Sequence, residues 1–149
     1  MTGTAEKADR RAKSYRRAIG QFQAADQGRA ALAEALRWLR GEAAHAGKLR
    51  PRDAAALHDQ LTSQLVTLAG AVAGEGFRTD RHRRDLARMR AAGQHAEAFT
   101  HAAGWLSSSA TSAARADPSA APVLYRDLTD RIAGLAAEVP GYRPDRRHH

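Results

Sequence analysis

The chain has no cysteine. That alone excludes a disulfide framework, a thiolate nucleophile and a cysteine-ligated zinc or iron–sulfur centre. Aromatic residues make up only 5% of the 149 positions, and valine and isoleucine together number six: Ile19, Val66, Val72, Val123, Ile132 and Val139. With so few β-branched residues and no useful stretch of period-two alternation, no strand is expected. No apolar run approaches the ~18 residues a membrane span needs. The opening MTGTAEKADRRAKSYRR lacks the apolar centre of a secretory signal, so the expectation is a cytoplasmic protein without a membrane span. Acidic groups are also short, at 16 against 24 lysines and arginines, for a formal net charge of +8.

What fills the chain is alanine, 35 residues, and arginine, 21 of the 24 basic residues. Alanine is the strongest helix former and loses no side-chain entropy on ordering. It buries little area, so the expected core is narrow and depends on close helix packing. The length suits one domain with a single core. The basic excess suits polyanionic partners: nucleic acid, an anionic membrane surface or an acidic protein.

Five helical segments can be read. Ala8, Ala12, Tyr15, Ile19 and Phe22 recur at spacings of 4, 3, 4 and 3, one stripe of a first helix over about residues 4–22. Lys7, Arg10, Arg11, Lys13, Arg16 and Arg17 are assigned to its outer faces. AADQG at 24–28 is a break, with Asp26 a candidate N-cap, although one kinked helix through it is an alternative. A second helix continues to about Ala46 with Leu32, Leu36, Leu39 and Ala43 inward and Gly47 at its C′ position. Pro51 forces Arg50 out of helical geometry. A third helix to Ala73 carries the seam Leu57, Leu61, Leu65, Leu68 and Val72. The fourth is expected to run from a Thr79 N-cap to about Ala113, with a bend at Gly93 or Gly104 or fraying in the serine cluster LSSSATS. The fifth spans about 121–139, with Leu124, Leu128, Ile132 and Leu135 inward. Short connections favour antiparallel neighbours, hence an all-α, up-and-down antiparallel bundle of four to five helices with an alanine-rich core. The first helix is expected to be a semi-independent element, and residues 140–149 a disordered tail.

The stretch FRTDRHRRDLARMR, Phe77 to Arg90, holds six arginines and two carboxylates in fourteen positions. At 100° per residue, with Leu86 and Met89 inward, Arg81, Arg84 and Arg88 fall together on the opposite side, and Arg83 and Arg90 form a second row on a flank. His82 falls on the apolar side. Phe77 and Thr79 are read as fixing the helix start. Cations near a helix N-terminus oppose the macrodipole, which points to a role other than stability. Arg10, Arg11, Arg16 and Arg17 of the first helix form a second basic candidate. Both sets match backbone-phosphate contacts. Scarce aromatic interleaving argues against a single-strand stacking platform.

No catalytic or metal constellation is read. Glu42 and His45 have the i, i+3 spacing of di-iron bundles, but a single copy does not make such a site. GEGF at 74–77 follows a helix and lacks the Lys-Ser/Thr of a phosphate loop. The serines of SSSATS have no implied base. A non-enzymatic protein with no cofactor is expected. The principal reading is a small basic helical protein that grips the DNA or RNA backbone non-specifically, as an accessory subunit of a larger nucleoprotein complex. The second is a helical protein–protein interaction module, self-associating or docking on an acidic protein. It is suggested by alanine-rich faces and by Trp38 and Trp105 at the margins of their stripes.

Overall fold

A computed structural model describes residues 2–144, and the described residues are all-helical. Six α-helices follow one another: α1 (Thr2–Ala24), α2 (Gly28–Leu49), α3 (Ala54–Ala73), α4 (Phe77–Ala91), α5 (His95–Ala116) and α6 (Ala121–Glu138). Short 3-10 turns at Pro51–Asp53 and Val139–Gly141 follow α2 and α6. Among the described residues no helix is long and apolar enough to cross a membrane.

The count of six, rather than four to five, comes from the expected fourth helix. It is interrupted, not merely bent, at Ala92–Gln94, where Gly93 adopts φ +79°. The amides of Gly93 and Gln94 turn back to the carbonyls of Arg90 and Met89 and close the end of α4. A left-handed residue here lets the chain reverse at little steric cost because glycine has no Cβ. α1 and α2 are likewise separate. Asp26 does not cap α2: it takes φ +58° in the turn, and Gln27 precedes the helix without a side-chain cap. Gly47 lies inside α2, which runs on to Leu49 and stops as expected at Arg50, before Pro51.

Chain direction alternates through all six helices. Tyr15 meets Trp38 and Arg11 meets Glu42, so α1 runs against α2. Arg90 reaches Asp59 and Ser63 while Arg83 lies beside Gly70, so α4 runs against α3. The most extensive contacts, however, join helices distant in sequence, α2 with α6 and α3 with α5. Gly28 touches Tyr125 at one end and Arg50 bonds to the Tyr142 carbonyl at the other, so α2 and α6 are parallel. Asp59 and His58 meet His95 and Phe99 near the start of both α3 and α5, and Ala73 faces Ser109 and Ser112 near their ends. That pair is parallel too.

Both close pairs are lined by small residues. Ala31, Ala35, Ala43, Ala69, Ala98, Ala102, Ala110 and Ala136 are all essentially inaccessible to solvent, between Leu32, Leu39, Leu65, Leu106, Leu128 and Ile132. A buried methyl contributes about 0.8 kcal/mol and a leucine about 2. What alanine adds is proximity, which tightens the packing of the leucines around it. The expected stripes hold on α2. On α3 and α6 they rotate: Leu68, Leu124, Leu135 and Val72 are half-buried, while Ala69, Tyr125 and Thr129 go inside. α1 is packed on α2 and α6, with its Ile19 fully buried. Of the tail expected at 140–149, residues 145–149 lie outside the described residues, and Tyr142 packs against the core.

Two glycines test the packing. A Cβ on Gly28 would lie 2.7 Å from the Cβ of Tyr125, on the backbone side of the ring, whereas one on Gly104 meets nothing within 4 Å. Gly28→Ala is expected to cost about 1–3 kcal/mol by overpacking. Gly104→Ala is expected to gain about 0.4–1 kcal/mol. Urea unfolding of the two variants measures both.

Candidate nucleic-acid interface

α4 is amphipathic in an unusual way, because both of its faces are charged. Thr79 and Leu86 are buried, and His82, Met89 and Arg90 are partly buried. Arg78, Arg81, Arg84 and Arg88 are exposed. The helix starts at Phe77, three residues before the expected Asp80, with Gly76 as its N-cap. Thr79 is therefore not the N-cap. Its hydroxyl donates to the Gly74 carbonyl at 2.6 Å and closes the α3–α4 turn. Phe77, expected to help fix this start, is 74% exposed.

On the inner side, His82 stacks on Trp105 with ring centroids 4.9 Å apart and 18° between planes. Its Nδ1 shares a hydrogen bond with His101 Nε2 at 3.0 Å. One of these nitrogens must carry the proton and the other a lone pair. Burial, then the neighbouring His101, then Arg81 hold the His82 pKa below its ordinary 6.5, with Asp85 opposing. Trp105 and Trp38 are 4% and 1% exposed. Both belong to the core rather than its edge, so neither indole is presented to a partner.

The five arginines of α4 that were read as two outward rows separate. Arg83 and Arg90 turn toward α3. Arg90 donates to the Asp59 carbonyl at 2.7 Å and to Ser63 Oγ at 3.0 Å, and Arg83 lies 3.6 Å from the Glu75 carboxylate. Arg88 pairs with Asp85 at 2.8 Å while remaining 75% exposed. Arg81 and Arg84 stand on the solvent side with no ion pair among the described residues.

α1 divides in the same manner. Arg11, read as an outer residue, instead makes a two-pronged bond to Glu42 on α2, at 2.6 and 2.9 Å. Glu42 is 4% exposed, so this carboxylate depends on its arginine. Tyr15 stacks on Trp38 at 5.5 Å with 8° between planes, and the Arg16 guanidinium lies over the same indole. Arg10 and Arg17 remain exposed. The Glu42–His45 spacing is thus accounted for by an ion pair. Among the described residues no three His, Asp or Glu side chains gather as a metal site. A carboxylate on the apolar stripe of α2 was the signal that a partner was needed, but nothing local named Arg11.

The two basic helices are not packed together. α1 lies on α2 and α6, while α4 lies on α5 and α3. Arg10 and Arg17 therefore belong to one patch, and Arg81, Arg84 and Arg88 to another. No family model, no curated protein and no solved structure matches the chain.

Two outcomes are expected from these contacts. Arg11→Met should cost about 2–4 kcal/mol, because it leaves the Glu42 charge buried and unpaired. The cost should shrink when Glu42→Gln is added, measured as a double-mutant cycle in urea. For His82, a folded-state pKa below the unfolded value means that the unfolded chain takes up the proton first. Stability should be full above pH 6.5 and fall as the pH drops below it. His82→Phe should flatten that part of the profile, read as melting temperature against pH.

Proposed function

We propose that the protein binds nucleic-acid backbone through the solvent face of α4, with Arg81 and Arg84 as its principal phosphate contacts and Arg88 beside them. One observation carries the reading. The other arginines of the stretch that face the protein are engaged by Asp59, Ser63 or Glu75, while Arg81 and Arg84, exposed like Arg78, make no ion pair among the described residues. The exposed Arg88–Asp85 pair is worth about 0–1 kcal/mol, so a phosphate can recruit Arg88 cheaply.

Contacts of this kind neutralise phosphates and release counterions without reading base sequence. The binding is therefore non-specific and strongly salt-dependent. Arg10 and Arg17, with Arg16 beside them, supply a second, weaker patch on the α1 side. Two separate basic faces suit a protein that bridges anionic segments, as an accessory subunit of a nucleoprotein assembly would. The role is one of binding rather than catalysis. The competing reading, a protein-interaction module, loses the support it drew from its tryptophans, since both are buried.

Charge reversal tests the reading. Arg81→Glu with Arg84→Glu should reduce low-salt binding to DNA and RNA to the weak residue that the α1 patch supports, while leaving the helical circular dichroism unchanged. The double alanine variant should lower the log–log salt slope on duplex by about 0.9 for each phosphate that is no longer neutralised. Absence of binding by the folded wild-type chain at low salt would overturn the proposal.

A further inference from the structure

We infer that the ligand of the α4 face is single-stranded nucleic acid, with Phe77 as the platform on which an unpaired base stacks; this rests on the backbone-contact reading above. Among the described residues three large apolar side chains are strongly exposed, Leu49, Val123 and Phe77, and Phe77 is both the most exposed and the single aromatic. It has no duty in the fold that its exposure leaves room for, because Thr79 closes the turn. Its position is informative. Phe77, Arg81, Arg84 and Arg88 are spaced i, i+4, i+7 and i+11, which puts them on one stripe of α4. The ring thus heads the same row as Arg81 and Arg84, which make no ion pair among the described residues.

The combination selects among polyanions. Duplex ends apart, a paired base shows no π-face to a protein surface, whereas single strands are held by basic grooves interleaved with aromatic rings. An arginine row alone suits any polyphosphate. An exposed phenylalanine at its end adds apolar contact that only an unpaired base can use. Beside the ring lies an open groove of about 520 Å³ lined by Phe77, Arg78, His82, Trp105, Ser108 and Ser112. That is within the ~300–1,000 Å³ of small-ligand pockets, so it has room for a nucleotide next to the stacked base. The exposed Arg78 and Ser112 offer donors to sugar and phosphate there. Scarcity of aromatics in the sequence counts against an extended stacking platform and leaves one ring for one base.

Fluorescence anisotropy with labelled oligothymidylate, oligouridylate and a blunt duplex of equal length tests it at low salt. Wild-type protein should bind the single strands more tightly than the duplex. Phe77→Ala should weaken single-strand binding about tenfold and change duplex binding little, with an unaltered melting temperature. Phe77→Trp should keep the affinity and show tryptophan quenching on binding. If Phe77→Ala leaves single-strand affinity unchanged while Arg81→Glu with Arg84→Glu strongly weakens it, the stacking role is wrong and the backbone reading stands. Equal or tighter duplex binding likewise overturns the single-strand assignment alone. No binding of any of the three by wild-type protein overturns both.

Discussion

Close approach of helix pairs is the condition on which the rest of this molecule depends. The chain has few large apolar groups, so its core has to be made by bringing backbones together, and alanine and glycine at the contacts permit it. The two pairs that use this device, α2 with α6 and α3 with α5, are parallel, and a parallel pair cannot be joined by a short turn. A connecting helix must carry the chain back. Between α3 and α5 that helix is α4, which is why the most basic segment lies on the outside of the bundle. Gly28 against Tyr125 shows how little slack the approach leaves.

The same geometry decides which charges are spent internally. α1 and α4 each lay one side on a close pair, and their arginines on that side find partners: Arg11 finds Glu42, Arg16 the Trp38 face, and Arg90 the Asp59 carbonyl. The two-pronged Arg11–Glu42 bond and the Tyr15–Trp38 stack tie α1 to α2. On the other side of the bundle, the His82–His101 bond and the His82–Trp105 stack tie α4 to α5. The second tie has a titratable member. The helix that carries the outward arginines is therefore held in part by a contact that weakens on acidification, because burial disfavours a charge on His82.

The helical class and the inner faces of α1 and α2 were legible because a periodicity of 3.6 is a local property. Leu32, Leu36, Leu39 and Ala43 needed no tertiary knowledge. The split of the expected fourth helix was only half legible: Gly93 was a visible weak point, but a bend and a full reversal look alike in sequence. Thr79 shows the limit of capping rules. It is a good N-cap residue one turn too late, and its hydroxyl serves the preceding turn instead. At the candidate site, helical spacing correctly grouped Arg81, Arg84 and Arg88 away from Leu86. It also separated Arg83 and Arg90 from them, without revealing that these two face α3. The exposure of Phe77 was not legible, because a phenylalanine beside a helix start reads as a packing residue that fixes it.

The sequence by itself determined an all-helical, cysteine-free, strongly basic chain, with apolar stripes on most helices and an arginine row on one. These follow from composition and from spacing along a single helix, which residues carry wherever the helix is placed. Only the tertiary structure decided that the tightest pairs are parallel and remote in sequence, that Glu42 is answered by Arg11, and that the two basic helices pack on different partners. Those are statements about residues brought together across the chain. Nothing in local periodicity encodes which stripe meets which, because small side chains let several pairings approach equally well until the whole core closes.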